Sequence, residues 1–308
     1  MKKEKNMFMD FINSYQDLIK SYAKYFNDNS FNQKIAETNI QLLKEKKYVI
    51  TDEIWNIDEE QNLRFIFNLT ELLKSYGKEY IKDVENLWNT FNNDIPFSRQ
   101  FTINVLQNKH KIIFDFAKDK GLSNDFITFF SIFIAYPYRE AVASFVKSKS
   151  DSYRIELKNH VSGFCPVCGH DASISYLTEK EGKKIMACIH CGTYWLFRRL
   201  KCSFCLTEDK NALGYLNIED EKEVSAYVCD KCRMYLKTIR IKDDDNVYAV
   251  KWRAIIDYLS SGDIDIAAIQ NKYLKETILG TRFNGPNDPN IELYLNKLQN
   301  KITEIDSH

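Results

Sequence analysis

The sequence predicts an α+β protein: a helical N-terminal domain over 1–160, two small four-cysteine metal modules over 161–199 and 200–242, and a helical tail over 243–308. Three observations predict it. Apolar residues recur at three- and four-residue spacing through a first half that contains no cysteine. All 8 cysteines then fall between Cys165 and Cys232, every one in a Cys-x-x-Cys pair. Beyond the acidic run Asp243-Asp244-Asp245 the apolar spacing becomes helical again.

The first half is read as amphipathic helices. Phe8, Phe11, Ile12, Tyr15, Leu18, Ile19 and Tyr22 form one apolar stripe. Leu63, Ile66, Leu69, Leu72, Leu73 and Tyr76 form a second, which Gly77 should end. Ile81, Val84, Leu87, Trp88 and Phe91 form a third, which Pro96 should stop. Ser123, Asn124 or Asp125 can cap a helix from Phe126 to Val146, and Pro137 should kink or split it. These stripes call for core packing and no chemistry; His110 and His160 stand isolated.

The texture changes past the polar run Ser148–Ser152. Five of the 10 glycines lie between Gly163 and Gly214. Segments 173–176, 184–187 and 194–197 read as short strands. In the tail, Tyr248, Trp252, Ile255, Ile256 and Leu259 suggest a helix. A turn-rich stretch over 284–290 precedes a last helix carrying Ile291, Tyr294, Leu295, Leu298, Ile302 and Ile305.

Composition narrows the function classes. The chain has 308 residues, 44% of them apolar, enough for a sizeable core. Lys+Arg and Asp+Glu number 43 each, so the basic excess of a protein that wraps nucleic acid or coats an anionic membrane is missing. The N-terminus lacks the uninterrupted apolar run of an export signal, and the longest apolar stretch, Phe126 to Tyr136, is too short to span a membrane. A reducing, cytoplasmic setting is expected, in which thiols bind metal more often than they pair as disulfides.

The cysteines repeat. Cys165-Pro166-Val167-Cys168-Gly169 is followed by Cys188-Ile189-His190-Cys191-Gly192; Cys202-Ser203-Phe204-Cys205 is followed by Cys229-Asp230-Lys231-Cys232. Two residues between cysteines let one tight turn aim both sulfurs at one ion, and two such turns close a tetrahedral site. Gly169 and Gly192 suit the positive φ wanted after a second cysteine. Pairing within each repeat is the simplest arrangement; pairing across repeats is the alternative. Eight thiolates fill two tetrahedra, which leaves His170 and His190 beside the ligands or exposed. Four thiolates suit Zn²⁺ and a rubredoxin-like iron alike, so the modules are rubredoxin-like or zinc-ribbon-like.

The run Cys191-Gly192-Thr193-Tyr194-Trp195-Leu196-Phe197-Arg198-Arg199-Leu200-Lys201-Cys202 links the repeats. With the four ordered knuckles and the closing Tyr235-Leu236-Lys237, it resembles the FdhE family of formate dehydrogenase accessory proteins. Tyr194 and Leu196 depart from the Glu and His that usually flank the tryptophan there. The resemblance implies a cytoplasmic, chaperone-like helper with two rubredoxin-type modules that bind iron. It also implies contact with the catalytic subunit of formate dehydrogenase and no turnover of its own. From the residues themselves, Trp195, Arg198 and Arg199 are candidates for a partner surface, because aromatic and arginine side chains dominate binding hot spots. Trp195 serving as cement between modules is the competing reading. Two other functions compete: a zinc-ribbon nucleic-acid binder using Arg198, Arg199 and Lys201, and a thiol oxidoreductase using one Cys-x-x-Cys pair.

Overall fold

The computed structural model describes residues 2–27, 50, 55, 57–148, 160, 162–218, 221–245 and 252–274. They form two compact units, one ending at Phe145 and one beginning at Val146.

The first unit is helical. It contains α1 (Lys2–Ser21), α2 (Ala23–Asn27), α3 (Glu59–Tyr76), α4 (Ile81–Asn93), α5 (Ile95–Leu106) and α6 (His110–Asp119), with α7 (Asn124–Ser148) running to the boundary. Local chemistry sets the ends. The Asp58 carboxylate accepts from Gln61 N–H at 2.8 Å to open α3, and Gly77 N–H donates to the Leu73 carbonyl at 2.7 Å to close it. Asp94 accepts from Phe97 N–H at 3.0 Å. Pro96 therefore sits in the first turn of α5, where a missing N–H costs nothing, besides ending α4 as expected. Ser123 caps α7, accepting from Phe126 N–H at 3.2 Å.

Helix α7 is the axis of this unit: every residue from Phe130 to Arg139 is buried. It continues through Pro137 rather than splitting. A proline leaves the carbonyl four residues earlier without its helical donor, which here is Phe133. The Tyr15 hydroxyl of α1 donates to that carbonyl. Burial first, and then the charge of Glu140, raise the Tyr15 hydroxyl well above its ordinary value, so it stays a donor. Buried Arg139 does similar work at the end of α5, donating to the carbonyls of Val105 at 2.9 Å and Leu106 at 3.1 Å. Around this axis Phe11, Tyr15, Phe91, Phe101, Phe126, Phe130 and Phe133 pack ring against ring, with Phe133 and Tyr15 edge-on at 4.7 Å.

The second unit is built on one six-stranded sheet: β1 (Ile174–Thr178), β2 (Lys184–Ala187), β3 (Tyr194–Phe197), β4 (Leu213–Ile218), β5 (Glu221–Cys229) and β6 (Met234–Ile241). The strand order is β3-β2-β1-β6-β5-β4. Each cysteine repeat contributes an antiparallel three-stranded meander. A parallel β1–β6 pair, in register from Ile174 opposite Lys237 to Thr178 opposite Ile241, joins the meanders edge to edge. The described tail packs on the same unit as α8 (Arg253–Ser260) and α9 (Gly262–Gln270). Ile264, Ala268 and Tyr273 cover Ala226, Val228 and Tyr235. The expected turn at 284–290 and the last helix lie outside the described residues. Among the described residues, no helix is long and apolar enough to cross a membrane.

Candidate metal centres

The structure gathers the cysteines within each repeat. Cys165, Cys168, Cys188 and Cys191 form one group and Cys202, Cys205, Cys229 and Cys232 the other, with sulfurs within 4.8 Å of one another. In the first group Cys165 and Cys191 sulfurs are 3.6 Å apart and those of Cys168 and Cys188 3.5 Å. In the second, Cys202–Cys232 and Cys205–Cys229 are both 3.7 Å. A tetrahedron with metal–sulfur bonds of about 2.3 Å has edges of about 3.8 Å. A disulfide would need about 2.05 Å. The donor set and its spacing therefore fit a tetrahedral thiophilic ion at each group, zinc and iron equally.

The knuckles are made the same way. Cys165 N–H donates to the His170 carbonyl, Cys188 N–H to that of Thr193 and Cys202 N–H to that of Thr207, each five residues on. The N–H after the second cysteine returns to the carbonyl of the first, from Gly169 to Cys165, Gly192 to Cys188 and Arg233 to Cys229. This turn requires a left-handed residue. Gly169 at φ 74° and Gly192 at φ 72° supply it in the first repeat, as their sequence positions predicted. In the second repeat Leu206 at φ 59° and Arg233 at φ 54° adopt the same conformation without being glycine.

The surroundings of the two groups differ. Around the first, His170 and His190 are both buried and stack at 4.0 Å, and His170 Nδ1 lies 3.3 Å from Cys168 Sγ. Both histidines therefore adjoin the ligands without joining them. Burial opposes ionisation of Cys168, but its bonds to Cys165, Cys188 and Cys191 and the charge of His170 outweigh it. Its thiol is held well below the ordinary value. In the second group Cys205 is half-buried while its three companions are buried. A buried cation from the other repeat reaches the strand that leads into this group. It is Lys184 of β2, whose Nζ lies 3.7 Å from the Tyr227 ring centroid. Burial pulls the Lys184 ammonium down to about 7, and the Cys202 thiolate opposes that fall.

The repeats also touch directly. A Cβ at Gly163 would sit 1.7 Å from the Ser203 carbonyl oxygen, so only glycine admits the two knuckles at this separation.

The link between the repeats splits into a buried and an exposed side. Trp195 is only 1% exposed: its Nε1 donates to the Ser162 carbonyl at 3.2 Å and its ring meets His160 edge-on. The indole is thus not available at the surface, which corrects its place among the partner-binding candidates. On a strand that alternates, Leu196 takes the outward position instead. Arg198 and Arg199 are exposed as expected, Arg198 3.2 Å from Glu208. Leu196 and Leu200 are exposed beside them, as is Leu206 past the third knuckle. Sequence reasoning missed Leu200 and Lys184; the signal for Lys184 was a charged residue opening an otherwise apolar strand.

A helical unit followed by a sheet unit that carries two four-cysteine groups defines the class: a protein with two sites each able to hold a metal ion. The chain is similar to the FdhE homolog of Aquifex aeolicus, 25% identical over 245 residues that span 78% of each chain. It is also similar to Protein FdhE of Escherichia coli strain K12, 31% identical over 118 residues that span 37% of this chain and 36% of that one. The crystal structure of the FdhE protein from Pseudomonas aeruginosa shares the fold, with a TM-score of 0.54 at 16% identity over 88% of this chain and 87% of that one. No family model matches the chain. The likeness to FdhE proteins, expected from the knuckles and their link, is thus shown in sequence and in fold.

Proposed function

We propose that this chain is a non-catalytic accessory protein of formate dehydrogenase. In this reading it acts in the cytoplasm, binds the enzyme's catalytic subunit and supports its maturation. The observation that carries the reading is the pair of four-cysteine centres in a chain similar to FdhE proteins along 78% of its length. The metal-ligand roles of Cys165, Cys168, Cys188, Cys191, Cys202, Cys205, Cys229 and Cys232 belong to this reading. When bound, each metal supplies a rigid cross-link; iron would also supply a one-electron couple.

What the chain's own residues contribute is a stiffened surface. Residues 192–201 lie between Cys191 and Cys202, so both centres anchor the segment. A segment held in this way loses little entropy on docking. Leu196, Arg198, Arg199 and Leu200 present apolar and cationic groups side by side, suited to a partner surface with an apolar patch rimmed by carboxylates.

The test is capture of the catalytic subunit from native cytoplasm by the metal-replete chain, with formate dehydrogenase activity measured in cells that lack or carry it. Both should depend on the chain. Arg199→Ala should weaken the complex by about 1–3 kcal/mol without changing metal content. Unchanged affinity and full activity would move the interface off this segment, and no capture by the wild-type chain would remove the reading.

A further inference from the structure

Two buried lysines lie in the sheet of the second unit, and they are treated differently. Lys237 of β6 has full compensation: its Nζ donates to the Tyr258 carbonyl at 2.8 Å and lies 2.7 Å from an Asp265 carboxylate oxygen. Lys184 of β2 is as deeply buried, yet its Nζ has no hydrogen-bond acceptor among the described residues. It rests against the faces of Tyr227, at 3.7 Å, and Phe197, at 5.8 Å. Those faces attract a cation, but an aromatic face alone offsets only a small part of the cost of burying an unpaired charge. A counter-charge is needed nearby.

The second cysteine group supplies one. The two rings against which the ammonium rests belong to segments that lead into this group. Tyr227, the ring beneath the ammonium, lies two residues before Cys229 on β5, and Phe197, the residue opposite Lys184 on β3, lies five residues before Cys202. Four thiolates around a divalent ion leave the centre with two net negative charges. In a dry interior such a centre attracts a cation strongly, and attracts it more as the ion passes to a lower oxidation state.

We propose that Lys184 is the built-in counter-ion of the Cys202/Cys205/Cys229/Cys232 centre, donated by the neighbouring repeat, so that the first module sets the metal affinity of the second. The arrangement is one-sided. The first centre has its own buried histidine pair, His170 and His190, whereas the second borrows a cation from β2. The borrowed charge also offsets the greater accessibility of this centre, whose Cys205 is half-buried. This inference rests on the metal-ligand roles in the proposed function and not on its formate dehydrogenase partner.

The test is site-resolved metal release from the full chain. Metal-replete protein is challenged with a chelator, the freed thiols are alkylated, and peptide mass spectrometry reports which cysteines have reacted. Lys184→Met keeps the length and apolar stem and removes the charge. It should speed alkylation of Cys202, Cys205, Cys229 and Cys232 on the order of tenfold, while Cys165, Cys168, Cys188 and Cys191 keep their wild-type rate. Lys184→Arg should restore much of the protection. With ¹¹³Cd in both sites, Lys184→Met should move one of two resonances and leave the other. Wild-type release from the second centre, or equal acceleration at both, would overturn the proposal. If Lys184→Met does not accumulate as folded protein, Lys184→Arg decides. Metal retention at both centres by that variant supports a need for charge; loss of it as well shows a need for shape and overturns the proposal.

Discussion

In the helical unit the largest buried side chains are aromatic and touch one another, from Phe11 and Tyr15 on α1 to Phe133 on α7. In the sheet unit much of the interior is sulfur, charged nitrogen and hydroxyl: seven buried cysteines, His170, His190, Lys184, Lys237, Ser175, Ser225 and Thr238. The first unit is stabilised by area removed from water, which needs no cofactor. The second places groups in its core that resist burial unless something satisfies them. Four thiols brought within 4.8 Å are a stable arrangement only when an ion gathers them. The difference teaches where the metal acts in folding. In the proposed reading, it completes the unit whose interior holds these polar groups.

Metal removal should separate the two most sharply. Structural zinc in small thiolate domains contributes about 10–16 kcal/mol at neutral pH. Chelation of the full chain should therefore abolish amide-exchange protection over β1–β6 while helices α3–α7 keep theirs. Circular dichroism should retain most helical signal. A single cooperative loss of all structure would show that the contrast between the units is not energetic.

The reverse experiment strikes the helical unit alone. Phe133 is fully buried and meets Phe11, Tyr15 and Phe129. Phe133→Ala should cost about 3–5 kcal/mol, the transfer and cavity terms together. Metal stoichiometry should stay at that of the wild type. Loss of metal would mean that the sheet unit depends on the helical core. A milder probe is Tyr15→Phe, which keeps the ring and removes the donor to the Phe133 carbonyl. It should cost about 1–3 kcal/mol, because Pro137 offers that carbonyl no substitute. In a Pro137→Ala background the penalty should shrink, since the helix then supplies its own N–H. An equal cost in both backgrounds would refute the assignment of this bond.

Much of this contrast was legible in the sequence. The apolar stripes gave α1, α3 and α4 because each carries its large residues on one face, the capping cluster at Ser123–Asp125 before an apolar run gave α7, and the knuckle spacing gave both cysteine groups. Helix α5 was not read, because Ser98, Thr102 and Asn104 occupy buried positions and blur the stripe. The joining of the two meanders was also invisible. A parallel pair such as β1–β6 has no connecting turn to mark it, and its partners are some sixty residues apart in the chain. Trp195 was read as surface or cement because a four-residue strand, Tyr194–Phe197, leaves its alternation undetermined until its pairing with β2 is known. Lys184 was passed over because a lysine is expected to reach water; only the sheet shows that all four residues of β2 are buried.

The smallest effect concerns the left-handed residues that close the knuckles. The first repeat uses glycine at both, the second uses Leu206 and Arg233 at φ 59° and 54°. A non-glycine residue held there costs about 1–2 kcal/mol. Replacement by glycine recovers this less the greater entropy that glycine loses on folding, about 0.5–1 kcal/mol. Leu206 is 44% exposed and gives up little packing, so Leu206→Gly should stabilise the second module by about 0.5–1 kcal/mol. Arg233 is different. Its guanidinium pairs with Asp230 at 3.0 Å and lies over the Tyr273 ring at 4.9 Å, contacts that tie the fourth knuckle to the tail. Arg233→Gly relieves the same backbone but loses both contacts, so it should be neutral or destabilising. Thermal melts of metal-replete protein, followed by release of metal from the second centre, rank the two variants. The expected order is Leu206→Gly above wild type and Arg233→Gly at or below it. If Leu206→Gly melts earlier than wild type, its side chain is held by packing rather than strained by its backbone, and the two repeats differ less in their knuckles than their φ angles indicate.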